Sequence, residues 1–175
     1  MFLDRDGVIN VHRPNDYVKS VEEFEFIDGA KEALKILAPH FRHIFIVTNQ
    51  RGVGKGLMTE QQLAEIHNFM CSEIAKSGGR IDRIYVSTAT NEDAPDRKPN
   101  PGMARQAKSE FPDIDFSKSF MAGDSETDMQ FAENAGIKPV LLGNRCDSQK
   151  ISGIKIFANF PDLINFALAL ADNKL

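Results

Sequence analysis

Short apolar runs of strand length alternate with longer stretches of helical period along the chain, and no other feature restricts the fold as much. The strand candidates are 1–3, 43–48, 83–87, 119–122 and 139–142, with a further short one at 155–157. The helix candidates are 29–37, 59–76, 102–110, 126–135 and 161–171. Thr59 and Gln62 form a capping-box pattern that opens the second helix, and Gly78-Gly79 closes it. This order predicts an α/β fold with a parallel sheet of about five strands covered by helices on both faces. With 175 residues, 42% of them apolar, the chain suits one domain, 1–175, with a substantial core.

In such a sheet, ligands bind beyond the carboxyl ends of the strands, where strand order reverses. The residues just after each strand are therefore the ones to inspect. They are Asp4 and Asp6, then Thr48, Asn49 and Gln50, then Arg97 and Lys98 at the end of a loop, then Asp124 and Asp128. Asp4 and Asp6 lie one residue apart and precede Gly7, so alternate side chains can reach the same small volume. Two carboxylates that close repel unless a cation lies between them or one is protonated. A solvated turn accounts equally well for that pair alone. Polar groups able to handle phosphate and a divalent cation after four successive strands favour a site.

For a phosphate monoester the parts can be assigned. Asp4 is the candidate nucleophile, passing through an aspartyl-phosphate. Asp6 is the candidate general acid toward the leaving oxygen and then base toward water. Oxygen ligands suit Mg²⁺, with Asp124 placed to complete the set. Asp128, one helical turn on, would sit behind this set as a further acid supporting it or as an orienter of Lys98. Thr48 offers a hydroxyl and backbone amides, although a threonine at a strand end is by itself usually structural. Lys98 brings a point charge, and Arg97 a planar fork for a second phosphate or carboxylate.

Other features set bounds. A net charge of −4 argues against broad nucleic-acid or membrane-surface binding. Cys71 and Cys146 share no metal or redox spacing and are expected as reduced thiols. No leader precedes the first strand and no apolar run reaches the about 20 residues of a membrane span, so a cytoplasmic monomer is expected. Asp4-x-Asp6-Gly7 and Asp124-x-Glu126-x-Asp128 lack the glycine of a calcium loop, and Gly52-Val53-Gly54-Lys55-Gly56 lacks the frame of a nucleotide loop. Those glycines are expected as a flexible rim. His12 and His67 are expected in solvent, with His12 the only histidine near the site.

Asp4-x-Asp6-Gly7, Thr48, Lys98 and Gly123-Asp124-x-x-x-Asp128, in that order, resemble the four motifs of the haloacid dehalogenase superfamily. The stretch 2–10, with Tyr17-Val18, Val47-Thr48-Asn49-Gln50 and Arg97-Lys98-Pro99, is similar to its small capless phosphatases. The resemblance implies a three-layer α/β/α Rossmann-like fold without a cap domain. It implies Asp4 as nucleophile and Asp6 as acid/base. Mg²⁺ would be held by Asp4, Asp124 and Asp6, the last through its backbone carbonyl. Thr48 and Lys98 would steady the phosphoryl group and Arg97 would recognise the substrate, with Arg5, Tyr17, Asn49, Gln50 and Arg51 lining the site.

Three departures concern recognition. The loop 87–96 has neither Cys nor His where relatives carry a zinc loop, so no zinc is expected. Ser125 stands where a lysine is usual, and 11–16 is rearranged. The first expectation is a Mg²⁺-dependent phosphomonoesterase acting on a small phosphorylated sugar, foremost a heptose bisphosphate. Alternatives are histidinol phosphate or a polynucleotide 3′-phosphate, the latter weakened by the lack of an aromatic-rich basic groove. A non-catalytic phosphosugar-binding module would be favoured by a missing core residue, but Asp4, Asp6, Asp124 and Lys98 are all present.

Overall fold

The structure, a computed structural model, describes residues 1–144, 151 and 153–174; Cys146 lies outside them. Strands β1 (Phe2–Leu3), β2 (Phe45–Asn49), β3 (Arg83–Ser87), β4 (Phe120–Gly123), β5 (Lys138–Leu142) and β6 (Ala158–Phe160) form one sheet in the order β3-β2-β1-β4-β5-β6. Every pairing is parallel. The expected five strands become six, the last beginning three residues after the 155–157 expectation. It pairs Val140 with Ala158 and Leu142 with Phe160, which sets its register.

The helices are α1 (Ala30–Leu37), α2 (Arg51–Gly54), α3 (Glu60–Lys76), α4 (Gly102–Glu110), α5 (Glu126–Ala135) and α6 (Leu163–Ala171). Strand alternation divides the apolar residues between two cores. Leu3, Ile44, Ile46 and Ala122 face α1, α3 and α6, while Phe2, Phe45, Val47 and Met121 face α4 and α5. This is the three-layer α/β/α arrangement. Phe45 shows the packing on the second face: its ring lies 5.3 Å from Phe2 and 5.0 Å from Phe111, distances at which aromatic pairs attract beyond their area.

The capping box of α3 forms as expected. Thr59 Oγ1 accepts from the Gln62 amide at 3.1 Å, and Gln62 Oε1 accepts from the Thr59 amide at 2.8 Å. Of the glycines expected as a flexible rim after β2, Gly52 and Gly54 are instead tightly enclosed. Gly52 and Gly54 lie in the short helix α2. A Cβ on Gly54 would come within 2.1 Å of the Thr88 carbonyl oxygen, and one on Gly52 within 2.9 Å of the Tyr17 ring. Both are glycine because other loops press against them. Strand order reverses between β1 and β4, and the two long connections 4–29 and 88–101 leave the sheet at that end. No helix among the described residues is long and apolar enough to cross a membrane.

Candidate active site

β1 ends at Leu3, and the Asp4 amide continues the ladder by donating to the Ala122 carbonyl at 3.0 Å. The chain then folds tightly back. The Arg5 carbonyl accepts from the Ile9 amide at 2.8 Å, and Gly7 takes φ +89°, a conformation suited to glycine. This turn sets Asp4 and Asp6 at the wall of an open cavity of about 230 Å³ at the switch point. Thr48, Asn49, Lys98, Asp124 and Tyr17 share that wall. Arg13, Asp16, Ser125 and Thr127 also line it; the departures at 11–16 and at Ser125 drew attention to the first three in the sequence, and nothing there singled out Thr127.

The lysine is the electrostatic centre. Lys98 Nζ lies 2.8 Å from Asp4 Oδ1 and 2.5 Å from Asp128 Oδ1, with all three residues buried. Burial opposes the ammonium charge, but Asp128 and then Asp4 hold its pKa above the ordinary lysine value. Asp128 is fully committed, because its Oδ2 accepts from the Ser125 amide at 3.1 Å and the Ser125 hydroxyl at 2.5 Å. Ser125 is thus the N-cap of α5, reciprocated by Asp128. Gly123 makes room for this arrangement, since a Cβ there would lie 2.2 Å from the Asp128 Cβ.

Asp4, Asp124 and Asp128 bring carboxylate oxygens within 4.8 Å of one another, the one such metal-capable group among the described residues. Burial first, and then the charge of Asp128, push the Asp4 carboxyl up to about 8 despite Lys98. One ammonium does not neutralise this many acids. A hard divalent cation suits an all-oxygen donor set and would remove the repulsion that raises Asp4, so the residues fit Mg²⁺. Hydrogen bonds tie together the loop after β3. Asn100 Nδ2 donates to the Ala94 carbonyl at 3.0 Å, and the Gly102 amide to that of Pro95 at 2.9 Å.

Asp6 rests in a cradle of donors. Arg5 Nη2 and Asn10 Nδ2 each reach Oδ1 at 2.9 Å, and Gln50 Nε2 reaches Oδ2 at 2.7 Å. Burial works to raise its pKa, but the Arg5 charge and these hydrogen bonds outweigh it and hold the carboxyl below the usual carboxylate range.

Three residues expected to line the substrate site, Arg5, Gln50 and Arg51, are not part of the cavity wall. Arg5 is wholly buried behind Asp6, because its guanidinium must follow its counter-charge inward. Gln50 is also buried, and its amide joins Asp6 to Thr48 Oγ1, the latter at 2.8 Å. Asn49 touches the cavity, yet its amide group is paired with the Lys98 main chain at 3.0 Å in both directions. Arg51 and Arg97 stand outside the cavity wall, donating to the Thr90 and Ala89 carbonyls. Burial, and next the Arg51 charge, lower the Arg97 pKa. His67, expected in solvent, is buried, with Nε2 at 3.1 Å from Arg5 Nη1. Helical spacing carried that signal, since His67 falls on the face of Leu63, Ile66, Met70 and Ile74.

The sequence profile of the polynucleotide kinase 3 phosphatase family matches residues 1–140. A Campylobacter jejuni protein named D-glycero-alpha-D-manno-heptose-1,7-bisphosphate 7-phosphatase is 37% identical over 166 residues, covering 95% of this chain and 94% of the relative. A Yersinia pestis protein named for the beta anomer is 39% identical over 150 residues, covering 81% and 78%. Among solved structures, D,D-heptose 1,7-bisphosphate phosphatase from B. bronchiseptica, complexed with magnesium and phosphate, superposes with a TM-score of 0.89 at 31% identity. That alignment covers 99% of this chain and 98% of the other.

Proposed function

The chain belongs to the polynucleotide kinase 3 phosphatase family of haloacid-dehalogenase-type hydrolases, and from that premise we propose that it is a Mg²⁺-dependent phosphomonoesterase. Its substrate in this reading is a small phosphorylated sugar, D-glycero-D-manno-heptose 1,7-bisphosphate, which loses its 7-phosphate. The observation that carries the reading is the convergence of Asp4, Thr48, Lys98 and Asp124 on one cavity, with Lys98 2.8 Å from Asp4. Relatives named for this reaction at 37% and 39% identity support the substrate.

Asp4 Oδ attacks phosphorus, forming an O–P bond as the bond to the leaving oxygen breaks. The departing electron pair stays on that oxygen, which takes a proton from Asp6. Water then attacks the aspartyl-phosphate, Asp6 takes the water's proton, and phosphate leaves with the Asp4 carboxylate restored. Thr48 and Lys98 hold the non-bridging oxygens, and Asp128 and Asn49 fix Lys98. Asp4, Asp124 and the Asp6 carbonyl would hold Mg²⁺, which would supply the charge neutralisation that lets carboxylate approach phosphate. The cradle around Asp6 favours its ionised form, the one that accepts the water's proton. Its acid role requires a proton taken up against those three donors. Arg97 and Arg51, at the rim, read the rest of the substrate with Tyr17. The reading includes a single-domain monomer in the cytoplasm, with no membrane or nucleic-acid partner.

A substrate panel tests it. Both heptose 1,7-bisphosphate anomers, histidinol phosphate and a 3′-phosphorylated oligonucleotide are assayed with Mg²⁺ and with EDTA. The expected result is magnesium-dependent release of the heptose 7-phosphate with kcat/KM well above the other two substrates. Preference for either of those, or turnover unaffected by EDTA, overturns the assignment.

A further inference from the structure

Arg5 heads the fully buried side chains by volume among the described residues. Removing a guanidinium from water costs several kcal/mol unless it is paired and hydrogen-bonded. Its partners are Asp6, at 2.9 Å from Nη2, and His67, at 3.1 Å from Nη1. A guanidinium has no lone pair to offer, so His67 Nε2 is the acceptor and the ring is neutral with its proton on Nδ1. Burial and the neighbouring Arg5 charge push the His67 pKa down to about 3, so it stays an acceptor at any working pH. The imidazole stands on the inner face of α3 among Leu63, Ile66 and Met70. Packing alone asks for another aliphatic residue at that position.

We propose that His67 is a positioning residue for the reaction, orienting the Arg5 guanidinium so that Nη2 fixes the Asp6 carboxylate opposite the leaving oxygen. The inference rests on the reading of Asp6 as the acid/base. His67 touches neither substrate nor phosphorus. It acts on one of the two oxygens of Asp6, through one intermediary, while Asn10 and Gln50 hold the carboxylate from other sides. Thr48 is reached from it only through Asp6 and Gln50, and Lys98 is held by Asp4, Asp128 and Asn49 instead. Its loss therefore disturbs protonation of the leaving group and spares phosphoryl binding.

This selectivity supplies the test. A sugar alkoxide needs a proton to leave, whereas p-nitrophenolate leaves unaided. For His67→Leu, kcat/KM toward heptose 1,7-bisphosphate is expected to fall roughly 10- to 100-fold, but less than about threefold toward p-nitrophenyl phosphate, since a positioned acid contributes about 10²–10⁴-fold and here it is misaligned, not removed. His67→Gln, which restores an acceptor, is expected to recover most of the loss. The ratio of the two kcat/KM values does not depend on the fraction of active protein, so a poorly folding preparation still decides. Should His67→Leu yield no folded protein, His67→Ala, which admits water to Arg5, gives the same ratio. Equal losses on both substrates, or no loss, overturn the inference while leaving the phosphatase reading intact. A wild-type protein inert toward both substrates overturns that reading and this inference with it.

Discussion

Lys98 Nζ and Asp128 Oδ1 meet at 2.5 Å between side chains that are 3% and 0% exposed. Asp128 spends its other oxygen on the N-cap of α5, so the pair ties the loop after β3 to the helix after β4. Breaking a buried pair by removing one partner leaves a charge uncompensated. For Asp128→Asn we expect a stability loss of roughly 3 kcal/mol, at the low end of that effect because Asp4 still faces the lysine. Urea denaturation measures it. Steady-state assays are expected to show kcat falling more than tenfold, as Lys98 loses its orientation.

Asp4 behaves differently, because its charge is unwelcome in the metal-free site. Its carboxyl is pushed up to about 8, well above the unfolded value, so the folded protein loses stability as pH rises between the two. Asp4→Asn is expected to raise the melting temperature at pH 7.5 in EDTA while abolishing turnover. Added Mg²⁺ is expected to narrow the difference by stabilising the wild type alone. A variant less stable than wild type in EDTA contradicts the account.

At Gly123 the requirement is steric. A Cβ would meet the Asp128 side chain at 2.2 Å, and neither backbone nor acid can retreat without releasing Lys98. Gly123→Ala is expected to cost about 2–3 kcal/mol by overpacking and to lower kcat. Thermal melts and kinetics check both.

His67 also makes stability depend on pH. Its folded pKa of about 3 lies below the unfolded value of 6.5, so the unfolded chain takes up the proton first as pH falls. The stability associated with the neutral ring is intact above 6.5 and declines toward 3, reaching a loss of about 2 kcal/mol at pH 5. The difference in urea midpoint between pH 7 and pH 5 is expected to shrink in His67→Leu.

Strand positions and the acids were legible because both follow from local rules: apolar runs make strands, and chemistry follows their carboxyl ends. Thr48, Lys98 and Asp124 lie in the cavity wall for that reason. What local rules do not carry is the direction in which a polar side chain points. Arg5 and Gln50 look like substrate contacts because they adjoin the motifs, yet both turn inward to hold Asp6. Asn49 looks the same and holds the Lys98 backbone. Gly52 and Gly54 suggested mobility, when their necessity lies in Tyr17 and Thr88, 35 residues before Gly52 and 34 after Gly54 in the chain. β6 slid by three residues since its register depends on β5 rather than on its own pattern.

The strand that presents Asp4 is two residues long and flanked on both sides, by β2 and β4. With β4 it occupies the centre of the six-strand sheet, not an edge. Opening it means opening the two cores that Phe2 and Leu3 join. The backbone that carries the nucleophile is thus held as firmly as the fold itself. A local opening at β6, separated from β1 by two strands and carrying no residue of the cavity wall, leaves the nucleophile's strand paired on both sides.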